Sequence, residues 1–256
     1  MAGSISGKLI KGIEYLAIPF QFPRHGLRLT GQVFSNRKLI HEIPRLIPYK
    51  AWFKSKGIRT IVDIGGFVGS FAYAMRMILP ETQIYSFEPL VGNFQALVHN
   101  LEPLGRFKAF NTALGGHQGT TEFWQNDFTA SSSVLDLGDL HKEAFPYAAQ
   151  AHKITVPMGR LDDFLPQMTL ETPVLLKIDV QGYEMTVLEY GLEVLKKVHY
   201  VIMETSFQPL YAGQPLFHDI ELWMEAHGFR FAGDLDTLPS PKDGTILQAD
   251  SLFIRK

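Results

Sequence analysis

From residue 57 onward, apolar and polar positions recur in two alternating rhythms. Short apolar, often β-branched runs occupy residues 59–64, 83–87, 107–113, 174–179 and 200–204, the pattern of strands buried on both faces. Between and after them, helical spacing runs through residues 70–79, 90–101, 183–195 and 217–227. Residues 229–232 and 250–254 read as a closing pair of strands. Residues 120–124 and 154–157 read as short extra strands, and 160–165 as a short helix. Alternation of this kind predicts an α/β fold: a parallel sheet with right-handed crossovers and helices on both faces. The polar and small residues of 126–147 predict a long loop with room for one short helix, and a loop of that length is more often functional than idle.

The chain before residue 57 follows neither rhythm. Pro19, Pro23, Pro44 and Pro48 with scattered basic residues restrict regular structure to residues 31–42, in a segment placed to cover one edge of a site. Pro48 then fits the first position of a helix carrying Trp52 and Phe53, with Gly57 as its stop. Ile5, Leu9, Ile13 and Leu16 recur near helical spacing, which reads as a docking helix or arm rather than a membrane-surface or partner-binding segment. Residues 1–56 are thus expected to be an N-terminal extension with a capping helix, and 57–256 the main domain.

Composition narrows this little. A chain with 46% hydrophobic and 20% charged residues is globular, and a net charge of −2 gives no electrostatic case for nucleic acid. Without cysteine there is no disulfide, thiol catalysis or Cys-ligated zinc. No run approaches the ~20 apolar residues of a membrane span, and no signal peptide is recognisable, so a cytoplasmic protein is expected.

The candidate chemistry gathers at strand ends, where ligands of such sheets bind. Asp63, Glu88, Asp179 and Glu204 close four different predicted strands. After the first comes a turn, Gly65-Gly66-Phe67-Val68-Gly69, leading into a helix whose unpaired N–H groups favour anionic or polar ligand groups. The loop lacks the second and third glycines of a dinucleotide fingerprint, and it has no lysine for a phosphate loop. Its D-x-G-x-x-x-G spacing, with Glu88 closing the next strand, suits a nucleoside without pyrophosphate, because one carboxylate can accept both ribose hydroxyls. Asp63 is placed to accept from a ligand's amine or hydroxyls.

Asp63 to Gly69 followed by Ser86-Phe87-Glu88-Pro89 resembles the first two motifs of class I methyltransferases that use S-adenosylmethionine. Asn111 with Ala113-Leu114-Gly115, Ser131-Ser132-Ser133, Arg160 to Phe164, Leu176 to Glu184, Glu204, Pro209-Leu210-Tyr211, Gly228-Phe229, and Asp250 with Phe253 extend the likeness to the FkbM-type branch over about residues 57–256. Members of that branch usually carry Ala-Asn where this chain has Gly66-Phe67. The resemblance implies a Rossmann-like, seven-stranded, mostly parallel sheet and an S-adenosylmethionine cofactor. It implies that Gly65, Gly66, Phe67 and Gly69 pass the methionine part, that Glu88 with Pro89 holds the ribose, and that Asn111 to Leu114 border the adenine. It also implies O-methylation of a hydroxyl on a sugar, glycolipid or other small natural product. Two alternatives stand beside it: a cofactor-binding protein of the same fold without turnover, and a nucleotide-linked oxidoreductase.

Methyl transfer to a hydroxyl benefits from a general base. Asp179 is the first candidate, although a strand-end Asp also suits a contact to the cofactor's amino group or a helix cap. Lys177 lies two residues earlier on the same face of an apolar strand, where an ion pair is favoured over catalysis. Glu204 serves equally as base, as substrate ligand or as an ordinary carboxylate. Asp179 and Glu204 alone are too few ligands for a metal, and His141, His152 and His218 have no metal-like spacing. Ser131 to Ser133 suit a helix cap slightly better than a substrate contact. Trp124, Phe128, Phe145, Tyr147, Phe207 and Tyr211 fall near the rim, where a few would line an acceptor pocket.

Overall fold

In the computed structural model, which describes residues 18, 21, 22, 36–126, 132–136, 138, 140 and 151–256, the fully buried run β1 (Thr60–Ile64) sits centrally in the main sheet. Before it come α1 (Arg37–Ile40), capped by the Asn36 side chain, then α2 (Glu42–Leu46), a single 3₁₀ turn (Ile47–Tyr49) and α3 (Lys50–Ser55). Pro44 stands inside α2, at its third residue, where its missing N–H would be unpaired anyway. The helices are short, as the prolines require. The amphipathic run of residues 5–16 and the start of the 31–42 stretch lie outside the described residues.

After β1 come α4 (Ser70–Ile78), β2 (Gln83–Phe87), α5 (Val91–Leu101) and β3 (Phe107–Phe110). The third predicted strand does not run through to residue 113. Asn111 and Thr112 leave the sheet, and β4 (Ala113–Leu114) joins β5 (Gly119–Asn126) and β6 (Ala151–Gly159) in a separate three-stranded sheet ordered β4-β6-β5. A 3₁₀ helix (Leu161–Gln167) leads to β7 (Val174–Ile178). The helix expected over 183–195 is broken into α6 (Glu184–Glu189) and α7 (Leu192–Leu195) at Gly191, where a Cβ would stand 2.7 Å from Leu161 Cδ2. The chain closes with β8 (Val198–Ser206), α8 (Phe217–Ala226), β9 (Phe229–Pro239) and β10 (Ile246–Arg255).

The main sheet has seven strands in the order β3-β2-β1-β7-β8-β10-β9, and β10 runs antiparallel to both neighbours. It is Rossmann-like, and it separates two cores. Ile61, Ile84, Leu175 and Ile202 point into a core shared with α1 to α5 through Leu39, Ile40, Ile43, Leu46, Phe53, Tyr73 and Leu97. The alternate positions Val62, Ile64, Leu176, Ile178 and Met203 pack on the other face against Val187, Leu195 and Met224. Polar residues interrupt the first face: Ser86, Asp63 and Lys177 are direct neighbours across β2, β1 and β7. A smaller cluster of Leu90, Ala113, Phe123, Val156 and Met158 joins the second sheet to the turn after β2.

Candidate active site

A cavity of about 550 Å³ opens over the carboxyl ends of the central strands, within the ~300–1,000 Å³ of small-molecule sites. One end is walled by Glu88, Pro89, Leu90, Ala113, Leu114 and Phe123, the middle by Gly65 to Phe67 and Asp179, and the far end by residues of α1, α2 and β10.

The loop after β1 is shaped by backbone constraints. Gly65 has φ +83°, and a Cβ there would fall 1.8 Å from the Asp179 carbonyl oxygen, so only glycine lets β1 and β7 close at this point. Gly65 and Gly66 both donate their N–H groups to the Phe87 carbonyl, at 3.0 and 2.9 Å. Phe67 follows at φ +49°, a left-handed conformation in which Asn is favoured and Phe is uncommon. Gly69, at φ +92°, precedes the first turn of α4, and Ser70 and Phe71 of that turn line the cavity. Gly69 itself is off the wall, packed under Leu97 and Leu101.

Glu88 is 5% exposed. Its Oε2 accepts from Phe67 N at 2.9 Å, and its Oε1 from Leu90 N at 2.9 Å and Asn93 Nδ2 at 3.3 Å. Burial pushes the carboxyl up to about 7, against the pull of the Leu90 and Phe67 N–H groups. A carboxylate has about four acceptor positions, and three are engaged here. It therefore has one position open, on Oε2, rather than the two expected for both ribose hydroxyls.

Two residues read as ligand contacts lie behind the wall. Asp63 is fully buried and does not line the cavity. Its Oδ2 accepts from Ser86 Oγ at 3.0 Å, its Oδ1 has no hydrogen bond among the described residues, and burial pushes the carboxyl to about 6. It comes one residue before the end of β1, on the face covered by the N-terminal helices, and its strand neighbour there is Lys177. Asn111 is likewise behind the wall: its Nδ2 donates to the Glu88 and Pro89 carbonyls at 2.9 and 3.0 Å, bracing the turn that presents Glu88.

Asp179, Lys177 and Glu204 all line the cavity. Lys177 Nζ lies 2.9 Å from Asp179 Oδ2, the ion pair that a buried lysine requires. Burial lowers its ammonium's affinity for the proton, but Asp179, Asp63 and Asp250 outweigh burial and hold it above the usual lysine range. Glu204 does not close β8 but stands within it, opposite Asp250 of β10. Burial, then the carboxylates of Asp179, Glu184 and Asp250, push its carboxyl well above the ordinary range.

The residue that joins these two carboxylates has no role of its own in the sequence reading, where it falls within the Leu176 to Glu184 stretch of the resemblance. Gln181, at φ +58°, donates from Nε2 to Asp179 Oδ1 and to Glu204 Oε2, both at 2.8 Å. Its Oε1 accepts from the Tyr211 hydroxyl, and Gln248 Nε2 donates to the same Glu204 oxygen at 2.9 Å. Ser133, for which a helix cap is only slightly favoured over a substrate contact, donates to the Gln181 carbonyl at 2.8 Å, and Glu184 accepts from Val180 N and Gly182 N. Ser132 lines the cavity, its Oγ accepting from Asn126 N; Ser131, Phe128, Phe145, Tyr147 and His141 lie outside the described residues. Gln248 carried one legible signal: it lies two residues before Asp250 and so on the same face of its strand.

At the far end Arg45 reaches Glu42, Asp236 and Asp250, joining α2 to β9 and β10. Burial raises the Glu42 carboxyl, but the His41 hydrogen bond, Arg45 and Lys177 outweigh it and take the group to about 2. No three His, Cys, Asp or Glu side chains among the described residues are grouped to hold a metal ion. No helix among the described residues is long and apolar enough to cross a membrane.

The family model "Methyltransferase FkbM domain" matches residues 63–231. The chain is 31% identical over 160 residues to "2-O-methyltransferase NoeI" of Sinorhizobium fredii, a match covering 60% of this chain and 66% of that protein, just under two thirds of its length. It is 28% identical over 187 residues to "Methyltransferase 1" of Beauveria bassiana, covering 67% of this chain and 72% of the other. Among solved structures, a chain of the fibrillarin/Nop5p complex superposes with a TM-score of 0.49 at 13% identity, covering 84% of this chain and 81% of that one.

Proposed function

The chain belongs to the FkbM methyltransferase family, and from that premise we propose that it methylates a hydroxyl of a small acceptor such as a sugar, glycolipid or other natural product. The family's activity implies S-adenosylmethionine, and the cavity fits it. Glu88 keeps one open acceptor position for a ribose hydroxyl, Leu90, Ala113, Leu114 and Phe123 offer apolar walls for a purine, and Gly65 and Gly66 bring bare backbone to the middle. The first turn of α4, with no side-chain cap, leaves N–H groups suited to the methionine carboxylate. Bound there, the cofactor supplies a methyl group on a sulfonium sulfur.

The observation that carries the reading is the Asp179–Gln181–Glu204 bridge beside that loop. Each Asp179 oxygen has one hydrogen bond, to Lys177 or to Gln181, which leaves acceptor positions facing the cavity. Asp179 takes the acceptor hydroxyl's proton as the oxygen gains its methyl group, and Lys177 and Gln181 keep the carboxylate aimed. Glu204, raised in pKa and clamped by two amides, holds a neighbouring hydroxyl of the acceptor. Preference for oxygen is supported by the printed activity of the Sinorhizobium relative. The family match disfavours the oxidoreductase alternative.

Calorimetric titration with S-adenosylhomocysteine, followed by labelled methyl transfer to a panel of hydroxylated acceptors, tests the proposal. Glu88→Ala should weaken binding about tenfold or more, the scale of a lost hydrogen bond to a charged group. Asp179→Asn should keep binding and lose about 10²–10⁴-fold in transfer, the usual worth of a general base. Absence of adenosyl binding, or transfer indifferent to Asp179→Asn, would overturn it.

A further inference from the structure

The N-terminal helices carry a charge pattern that the proposed transfer leaves unused. Residues 36–56 hold six lysines and arginines against one acidic residue, Glu42, in a chain whose net charge is −2. Arg37, Lys38, His41, Glu42 and Arg45 line the far end of the cavity, beyond Gln248 and Leu238. Arg45 is compensated by three carboxylates, and Lys177 by Asp179. Glu42, the only local anion on α1 and α2, is already engaged by Arg45 and by His41 at 3.1 Å. Lys38, by contrast, makes no ion pair among the described residues, and it is an exposed side chain that lines the cavity rim.

We propose that this rim seats an anionic group of the acceptor, most simply a phosphate ester, on Lys38, with Arg37 and His41 beside it adding to the positive field of the rim, while the acceptor's hydroxyl reaches Asp179. The inference rests on the methyltransferase reading of the same cavity. Arginine and lysine side chains beside a partly enclosed cavity recognise phosphate by charge-assisted hydrogen bonds. The cofactor's own carboxylate is the competing occupant, but the uncapped first turn of α4, next to the Gly65–Gly69 loop, already provides for it. All three rim residues also lie before residue 63, outside the stretch matched by the family model, so they belong to the part of the cavity that the shared domain does not define.

The test titrates glucose, glucose 6-phosphate and inorganic phosphate into the full chain saturated with S-adenosylhomocysteine, at two salt concentrations, with vesicles containing phosphatidic acid as a separate arm. Glucose 6-phosphate or inorganic phosphate should bind at least about tenfold more tightly than glucose, less so at high salt. Lys38→Ala should remove that preference, Lys38→Arg should restore it, and adenosyl binding should stay within about twofold of the parent. Binding to the vesicles without binding to the soluble phosphates supports the same site with a lipid headgroup as its source. Equal, salt-independent binding of glucose and its phosphate, with no vesicle binding, overturns the proposal. So does a tenfold loss of adenosyl affinity in Lys38→Ala, which would hand the cation to the cofactor's carboxylate. If the parent chain binds no S-adenosylhomocysteine, it is the methyltransferase reading that fails, and the two failures are distinguished by that first titration.

Discussion

Gly65 and Glu88 show how single residues shape the part of the cavity proposed for the cofactor. A methyl group at residue 65 would meet the Asp179 carbonyl oxygen at 1.8 Å in a backbone already at φ +83°, so neither side-chain rotation nor local relaxation relieves it. Gly65→Ala should cost about 3 kcal/mol in urea denaturation, the sum of overpacking and left-handed strain, and should weaken S-adenosylhomocysteine binding; a variant of parental stability would refute the close approach. Glu88 gives a pH signature. Its carboxyl lies near 7 in the fold against 4.5 when unperturbed, so its protonated form stabilises the fold fully below about 4.5, and that contribution is lost as pH rises through about 7. In the proposed complex a ribose hydroxyl donates to the ionised form, so adenosyl affinity should run the opposite way, rising up to about tenfold per pH unit below 7 and levelling above it. Calorimetry from pH 5.5 to 8.5 checks this, and the slope should vanish in Glu88→Gln.

Between elements, β7 and β8 pair by backbone as far as Ile178 and Met203, and just beyond that point a side chain ties Asp179 to Glu204. Gln181 reaches both carboxylates only because its backbone is left-handed and because the Tyr211 hydroxyl occupies its Oε1, fixing which end of the amide faces Asp179 and Glu204. Tyr211→Phe frees the amide to turn, so it should lower kcat for methyl transfer about 10–100-fold, the effect of a misaligned catalytic group, with adenosyl affinity unchanged. Equal kcat with a raised KM would instead make Tyr211 a substrate contact. Tyr211 reads from sequence as a rim aromatic, and Gln181 carries no role of its own there, because their partnership joins positions 30 residues apart. What was legible followed local rhythm: β1, β2 and β7 declare themselves by apolar runs that two cores must bury. The second sheet was not legible as a sheet. Two of its strands were foreseen as short extra strands, but β4 reads from sequence as the end of the third strand; it pairs with β6 across a long loop, and nothing local in Ala113-Leu114 distinguishes leaving the main sheet from continuing β3. The need for glycine at residue 191, where the helix breaks, likewise comes in part from a distant side chain, Leu161. Asp63 was misplaced for a related reason: strand-end position was visible, whereas the face it takes depends on register with Ser86 and Lys177.

Across the molecule, Arg45 fastens the N-terminal helices to the far edge of the sheet. It bonds Glu42 in its own helix, Asp236 in β9 and Asp250 in β10, while Leu39, Ile40, Ile43 and Leu46 fill one of the two cores. We therefore propose that residues 36–56 share their unfolding transition with the sheet, the boundary near 56 separating chain segments rather than cores. Arg45→Ala leaves Glu42 and Asp250, only 15% and 19% exposed, without their main cation. The expected loss is about 2 kcal/mol at pH 7.5, below the usual cost of breaking a fully buried pair because Arg45 is itself 33% exposed. The sign of its pH dependence separates ionic fastening from packing. Arg45 attracts only ionised carboxylates, and Asp250 titrates at about 6 and Glu42 at about 2. The difference between parent and variant should therefore be greatest above pH 6, shrink as Asp250 takes up its proton, and keep a residue from Glu42 down to the acid limit of the fold. Urea denaturation at pH 5 and 7.5 measures it. A difference equal at both values would mean that Arg45 acts through its aliphatic stem, and a second transition in the variant would show that the N-terminal helices need the ion pairs to fold with the sheet.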